Sequence, residues 1–262
     1  MSFLPAGGYR EGCSVLHKMD ALGKLICTFL LLGAVIVCHS LPGYGAMAAV
    51  LLLLVRFSGL GFGTAFNGVK RMGLFFCVIL VMNAVFFEAE QVWWQWWIFR
   101  FSREGMIQGM RVVVRVAFAM ILGNLLLSTT SPMEIVGAIE SLLFPLQWVG
   151  IPVRDVAMIL GVSIQFIPAF SQEAETLRKA QTARGARFES RKLSEKARSV
   201  LPLVVPIFLA AFRRADELAL AMEARGYRRT KGRSRFRRRR LSAADGIGIL
   251  ASLLFYAAQA ML

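Results

Sequence analysis

The sequence predicts an all-α polytopic membrane protein with about five transmembrane helices and long cytoplasmic amphipathic helices. Three observations lead to this prediction. Of the 262 residues, 56% are hydrophobic, and the mean hydropathy is +0.58. The formal net charge is nevertheless +15, a combination that is rare in a soluble domain. Long uncharged runs also alternate with basic segments, as they do in a membrane protein whose positive charge collects on one side.

The uncharged runs predict four spans within residues 1–131 and one span at 242–262. A single helix from Leu25 to Val55 would be roughly 46 Å long, whereas a bilayer core is about 30 Å thick. Because Pro42-Gly43 is a turn signal, the run is expected to form two helices. The predicted spans are residues 20–38, 42–55, 72–88, 112–131 and 242–262.

The basic residues predict that the N-terminus and residues 132–241 are cytoplasmic. With five spans and this orientation, 27 of the 31 Lys and Arg residues fall on inner segments, as the positive-inside rule requires. The four outer ones are Arg100, Arg103, Arg111 and Arg115. Arg111 and Arg115 are expected to extend to the interface, with a substrate, Glu88 or Glu90 as alternative partners.

Four tryptophans lie between the third and fourth predicted spans: Trp93, Trp94, Trp96 and Trp97. Their position favours an outer interfacial aromatic belt. A platform on which a carbohydrate stacks is the functional alternative.

Residues 132–241 are predicted to contain the functional region of the chain. Ser131-Pro132-Met133-Glu134 is a capping box that starts a helix, and Gly150-Ile151-Pro152 is expected to end it. A longer helix is predicted from about Val153 to Ala183, with a kink at Pro168. The apolar stretch from Leu201 to Ala211 is either a half-buried helix or an extra short span.

Two helical stretches in this region end in the same tripeptide, 41 positions apart. Ala183-Arg184-Gly185 ends the first stretch and Ala224-Arg225-Gly226 ends the second. Each stretch has an acid near its start, Arg in its last turn and Gly as the stop. The apolar residues before each tripeptide share one helix face. The repetition predicts two tips that present a guanidinium to an acidic or carbonyl-rich groove of a partner.

No motif in the sequence indicates catalysis, a metal site or a cofactor. Neither His17 nor His39 belongs to a sequence pattern typical of metal ligands. The sequence also has no Walker, H-E-x-x-H or G-x-S-x-G motif. The four cysteines form no C-x-x-C pair and are expected to be small buried hydrophobic residues. The run Arg235–Arg240, within the basic stretch Arg228–Arg240, is expected to fix the orientation of the last span, with anionic lipid or nucleic acid as alternative ligands. A self-contained permease would need more polar residues within its spans, and a membrane enzyme would need a cluster of acids or histidines at an interface.

Nearly the whole chain resembles the transmembrane T component of energy-coupling factor transporters, which are prokaryotic uptake systems. The matching segments are Gly12–Asp20, Lys24-Leu25, Thr130–Glu134, Gly150–Pro152, Phe166–Pro168, Ala183–Gly185, Phe212–Leu218 and Ala224–Tyr227. One departure is Asp20-Ala21-Leu22-Gly23-Lys24-Leu25, where the family usually has Asp-Pro-Arg-Thr-Lys-Leu.

The resemblance implies a non-catalytic scaffold in the cytoplasmic membrane of a prokaryote. Two ABC-type ATPases would each accept one tip, through Ala183, Arg184 and Gly185 or through Ala224, Arg225 and Gly226. A small membrane-embedded S component would bind the vitamin or transition metal and lean on the long helices. No cofactor, metal or nucleic acid is implied for this chain.

Overall fold

The computed structural model describes residues 9, 12, 14–59, 61–86, 92–96, 99–186, 188, 193–227 and 242–261. Helices make up nearly all of this part of the chain, which confirms the predicted fold class. In chain order, the elements are α1 (Val15–Lys18), α2 (Ala21–Val37), α3 (Leu41–Ser58), α4 (Phe62–Arg71), α5 (Gly73–Phe86), β1 (Val92–Trp96), β2 (Phe99–Ser102), α6 (Arg103–Thr129), α7 (Pro132–Leu142), a 3-10 helix (Phe144–Val149), α8 (Val153–Ala183), α9 (Leu193–Ala224) and α10 (Ala243–Met261).

The chain divides into two compact units. The first unit comprises residues 1–142 and 239–262, and the second comprises residues 143–238. The first therefore contains α1 to α7, the hairpin and α10, while the second contains the 3-10 helix, α8 and α9. Helix α7 packs on α2 within the first unit. The sequence analysis instead assigns residues 132–142 to the predicted cytoplasmic region.

Helices α2 and α3 are separate, as the turn signal predicts, but the break precedes the proline. The extended residues Cys38 to Ser40 divide them. The Ser40 hydroxyl accepts a hydrogen bond from the Gly43 N–H at 3.3 Å and so caps α3. Pro42 lies in the first turn of α3, where its missing N–H costs nothing because that group has no helical partner.

Helix α6 runs antiparallel to α2 and joins both of its ends. At one end, Lys24 Nζ donates to the Thr129 carbonyl oxygen at 2.9 Å. At the other end, the Arg115 guanidinium donates to the Cys38 carbonyl oxygen and, at 2.9 Å, to the Tyr44 hydroxyl. Arg115 thus binds the α2–α3 corner. Between these ends lies the apolar core, formed by Leu31, Val35, Met47, Leu51, Val55, Ile121, Leu122 and Leu125.

Helix α10 runs parallel to α2, and small residues let the two approach closely. A Cβ added at Gly33 would lie 3.1 Å from the Tyr256 ring. At the far end of α10, the Gln259 side-chain amide donates to the Gly43 carbonyl oxygen at 3.0 Å. This last helix therefore packs along α2 and reaches the start of α3. Such small-residue contacts are typical of helices that associate within a membrane.

Local signals place the start of α7 correctly but not its end. The Glu134 N–H donates to the Ser131 hydroxyl at 3.3 Å, and the Ser131 N–H donates to the Glu134 carboxylate at 3.1 Å. This reciprocal pair confirms the capping box. The helix nevertheless ends at Leu142, well before the expected break at Gly150. Pro145 disfavours continuation of the α-helix, because proline has no N–H to donate to the carbonyl oxygen of Ser141, and a 3-10 helix follows from Phe144.

The segment that contains the tryptophans is a β-hairpin. Strands β1 and β2 pair antiparallel, with Trp96 opposite Phe99 and a register shift between Val92 and Trp94. Trp97 lies outside the described residues, as do Glu88 and Glu90, so the aromatic belt stays a prediction.

Among the residues that the structure describes, four helices are long and apolar enough to cross a membrane: α3, α6, α8 and α10. The apolar helices α2 and α5 are shorter. Large apolar side chains are exposed on these helices, for example Ile36 at 69% and Leu74 at 84%, as expected for surfaces in contact with lipid. The chain is thus a multi-pass membrane protein. The predicted cytoplasmic location of residues 132–241 stays a prediction, since α8 also satisfies the length and hydropathy of a span.

The described cysteines are not uniformly buried. Cys38 is buried, as expected, whereas Cys27 is only half-buried and Cys77 is exposed on α5. The sequence expectation was wrong for Cys77, because an apolar run that faces lipid has the same composition as one that faces the core. Cys13 lies outside the described residues.

Candidate partner-docking site

Both predicted docking helices form, and each is longer than thirty residues. Helix α8 has the predicted bounds, Val153–Ala183, with Pro168 in its interior. Helix α9 spans Leu193–Ala224 and contains Pro202 and Pro206. The ambiguous apolar stretch 201–211 is therefore part of a continuous helix. Each helix ends at the alanine of its Ala-Arg-Gly tripeptide.

The first tip is a Schellman motif. The Gly185 N–H donates to the Thr182 carbonyl oxygen at 2.9 Å, and the Ala186 N–H donates to the Gln181 carbonyl oxygen at 3.0 Å. Gly185 has a φ of +90°, which only glycine adopts without steric penalty. Arg184 is consequently the C-cap residue, the last side chain before the chain reverses.

The second tip repeats this geometry at every position. The Gly226 N–H donates to the Glu223 carbonyl oxygen at 2.9 Å, and the Tyr227 N–H donates to the Met222 carbonyl oxygen at 2.9 Å. Gly226 has a φ of +70°. These bonds confirm that both glycines act as helix stops, and they place Arg225 in the same cap position as Arg184.

Both tips are open to solvent. All six tripeptide residues are exposed: Ala183, Arg184, Gly185, Ala224, Arg225 and Gly226. A Cβ added at either glycine would meet nothing within 4 Å, so glycine is required by its backbone conformation and not by crowding. Within the described part of the chain, the side chain of neither tip arginine has a hydrogen-bond or ion-pair partner.

Each tip places a positive charge at the negative end of its helix dipole. The last carbonyl groups of a helix carry a partial negative charge, and a cation beside them is stabilised. Arg184 and Arg225 occupy this position, which makes each tip a positively charged surface. A planar guanidinium there can donate two parallel hydrogen bonds to one carboxylate or to paired carbonyl groups.

The apolar stripe that precedes each tip is half-buried, as its spacing predicts. On α8 the stripe consists of Phe170, Ala174, Leu177 and Gln181, and on α9 it includes Leu218 and Met222, all of intermediate exposure. The residues between them are mostly exposed. Ala215 shares the α9 face with Leu218 and Met222 by its spacing, but it is exposed.

An arginine that the sequence analysis did not single out joins the two helices. The Arg214 guanidinium of α9 lies 5.4 Å from the centre of the Phe170 ring and 5.9 Å from that of Phe166. Cation–π contacts of this kind stabilise helix packing by about 0.5–2 kcal/mol. The sequence shows an arginine in one helix and two phenylalanines at i, i+4 spacing in the other. It does not show that these residues contact each other.

The segment after the first tip folds back on its own helix. The Arg178 guanidinium lies 5.9 Å from the centre of the Phe188 ring. This contact spans the first tip, so the chain on both sides of Arg184 and Gly185 is held close to α8. The corresponding segment after the second tip belongs to the basic run, and residues 228–241 lie outside the described residues.

The family profile CbiQ, described as cobalt transport protein, matches residues 12–236. The chain is 34% identical over 248 residues to the energy-coupling factor transporter transmembrane protein EcfT of Brevibacillus brevis, covering 95% of this chain and 94% of that protein. It is 35% identical over 250 residues to EcfT of Clostridium kluyveri, with coverages of 95% and 92%. For EcfT of Bacillus subtilis the identity is 31% over 261 residues, with 98% of each chain covered. The chain therefore belongs to the CbiQ/EcfT family, the transmembrane components of energy-coupling factor transporters.

Proposed function

We propose that this chain is a non-catalytic scaffold that couples ATP hydrolysis by two partner ATPases to solute uptake. The observation that carries the proposal is the duplicated tip. Two long helices end in the same Schellman geometry, and each presents one exposed arginine at its cap. Duplicated tips suit two similar partners, and a transporter driven by ABC-type ATPases contains two such subunits.

The chemistry of the tips suits a groove on a soluble partner. The cap arginine stays charged when it is desolvated, and its planar geometry matches a carboxylate. The glycine after it ends the helix, so the cap arginine is the last side chain of the helical segment. The sequence has no nucleotide-binding motif of its own. In this proposal, ATP is bound and hydrolysed entirely by the partners.

Long helices connect the tips to the membrane part of the complex. When the ATPases close on ATP, each tip would move with the groove that holds it. Because Arg214 of α9 packs against Phe166 and Phe170 of α8, a displacement of one helix would be transmitted to the other. A small membrane S component resting on these helices would then be tilted and would release its vitamin or transition metal.

The orientation follows from the charge distribution. Twenty-seven of the 31 Lys and Arg residues fall on the side assigned to the cytoplasm, where ATP is available. The protein would thus lie in the cytoplasmic membrane of a prokaryote with its N-terminus and both tips inside. The cargo is defined by the S component and not by this chain.

A pull-down from mild detergent tests the docking. The tagged chain and its Arg184→Glu/Arg225→Glu variant would be purified side by side from the native host, with bound proteins identified by mass spectrometry. Placing glutamate in an acidic groove should destabilise each contact by about 2–5 kcal/mol. We expect two ABC-type ATPases and a small membrane protein with the unmodified chain, and no ATPase with the double variant.

The matched control is Arg56→Glu, which inverts the charge of an exposed arginine in the last turn of α3. This helix also ends at a left-handed glycine, Gly59 with a φ of +70°, but it lies in the first unit. The control should retain both ATPases. Equal ATPase recovery from the double variant, or its loss from the Arg56 control alone, would contradict docking through the two tips.

A further inference from the structure

An apolar cavity of about 310 Å³ lies inside the first unit, among α1, α2, α3, α6 and α10. Leucine is the commonest residue in its wall, which contains Leu16, Leu31, Leu54, Leu122, Leu125 and Leu126. The volume equals that of about ten water molecules at ~30 Å³ each. It is too large to be an ordinary packing defect, because side chains in protein interiors interdigitate with few voids larger than one water molecule.

The polar side chains named in the wall each make a hydrogen bond to a backbone carbonyl. Thr28, Thr129 and Ser252 each donate their hydroxyl proton to a backbone carbonyl of their own helix, at 2.8, 2.8 and 2.9 Å. Lys24 Nζ donates to the Thr129 carbonyl oxygen at 2.9 Å and closes this end of the cavity. Since a water molecule needs two to four polar partners, this wall disfavours water and suits an apolar ligand.

An empty cavity would also be unfavourable, since its free-energy penalty increases with its volume. Three of the helices that form the wall, α3, α6 and α10, are long and apolar enough to cross a membrane. The surrounding solvent of such helices is lipid hydrocarbon. Ala251 of α10 lines the cavity and is also exposed at the surface, so the cavity opens towards that hydrocarbon.

We propose that this cavity binds one acyl chain of a membrane glycerophospholipid, which enters beside Ala251 and leaves its headgroup outside. The volume accommodates part of a hydrocarbon chain but not a whole phospholipid. A free fatty acid would bind less well than a phospholipid chain at the end of the cavity closed by Lys24. Lys24 there already interacts with the charges of Glu134, Asp20 and Asp245, and a further carboxylate would be repelled by these acids.

Photolabelling in lipid nanodiscs tests the proposal. The probe is a phosphatidylcholine with a diazirine in one acyl chain, and the labelled residues are mapped by mass spectrometry. The Ala251→Phe substitution fills the opening, and Ala258→Phe is the matched control, because Ala258 is exposed on the same helix and is absent from the wall. We expect labelling of Leu122, Leu125 and Leu126 in the unmodified chain and the control, and a decrease of at least about tenfold in Ala251→Phe.

A second variant, Leu126→Phe, fills part of the cavity with a larger side chain on α6. It should give the same decrease in labelling if Ala251→Phe does not fold. Unchanged labelling of the wall in a folded variant would overturn the proposal. So would labelling confined to the exposed residues Leu250 and Leu253. Labelling of the wall by a diazirine fatty acid but not by the phospholipid would overturn the assignment to a phospholipid chain.

Discussion

Asp245 and Asp20 connect the first turns of α10 and α2. Oδ1 of Asp245 accepts a hydrogen bond from the Asp20 backbone N–H at 3.0 Å, and Oδ2 accepts one from the Ser242 N–H at 2.8 Å. The Asp245 side chain is fully buried, at 0% exposure. Its charge also interacts favourably with that of Lys24 on α2. One carboxylate therefore caps its own helix and fixes the neighbouring helix beside it.

Replacing Asp245 with alanine should destabilise the protein. The change leaves the Asp20 N–H without its acceptor and removes a negative charge near Lys24, and each unsatisfied buried group costs about 1–3 kcal/mol. We expect a lower Tm in detergent. The control is Asp216→Ala, which removes an exposed acid on α9 and should leave Tm nearly unchanged. Equal Tm values for the two variants would show that the Asp245 contacts contribute nothing to stability.

Two glycines at the start of α3 should respond oppositely to alanine. A Cβ at Gly43 would lie 2.5 Å from Gln259 Oε1 and 2.9 Å from Cys38 Sγ, whereas a Cβ at Gly45 would meet nothing within 4 Å. Gly43→Ala should therefore destabilise by about 1–3 kcal/mol through overpacking. Gly45→Ala should stabilise by up to about 1 kcal/mol through helix propensity. Unfolding midpoints in a denaturing detergent would measure both, and a neutral Gly43→Ala would contradict the close approach of Gln259 to Gly43.

The tip glycines should affect partner binding but not membrane insertion. Alanine in the left-handed region at Gly185 or Gly226 costs about 1–2 kcal/mol and shifts the tip away from the Schellman geometry. We expect reduced recovery of the ATPases with Gly185→Ala/Gly226→Ala and partial recovery with asparagine, which tolerates this conformation. The control is Gly123→Ala, inside α6 with nothing within 4 Å of the added Cβ. Full ATPase recovery with both tip alanines would argue against a conformational role.

Cysteine accessibility tests the proposed orientation. The exposed residues Lys18 and His39 lie at opposite ends of α2. In a variant without the four native cysteines, His39→Cys should react with a membrane-impermeant maleimide in intact cells. Lys18→Cys should react only after permeabilisation, because the positive-inside rule places it in the cytoplasm. The reverse pattern would invert the proposed topology.

Features fixed by neighbouring residues could be predicted from the sequence. The capping box of Ser131 and Glu134, the glycine stops at Gly185 and Gly226, and the bounds of α8 all depend on bonds between residues less than seven positions apart. Such bonds are determined by residue type and spacing alone. They include the geometry of both tips, which is why most of the candidate site could be predicted.

Contacts between distant residues could not be predicted in the same way. For Arg115 the sequence predicts a position at the interface but not its partners, which are the carbonyl oxygen of Cys38 and the hydroxyl of Tyr44. Arg214 was noted only as part of a matching segment, although it joins α9 to two rings of α8. In both cases the residue types were visible, but the partner depends on how the helices pack, which hydropathy and periodicity do not specify.

The departure from the usual family segment after Asp20 also has a structural explanation. Asp20 caps α2 by accepting a hydrogen bond from the Leu22 N–H at 3.1 Å, and Lys24 binds the end of α6. Both residues are retained in this chain. Gly23 lies where an added Cβ would be 3.0 Å from the Asp245 Cβ, so a small residue here permits the close approach of α10.

Each tip is closed by hydrogen bonds confined to six consecutive residues, 181–186 in one case and 222–227 in the other. The backbone geometry of each tip is therefore set by local hydrogen bonds. A segment of this kind is portable: it can be duplicated within a gene or grafted onto an unrelated helix without new supporting contacts. A grafted tip on a soluble helical hairpin would be a minimal competitor for the partner groove, free of the membrane part of the protein.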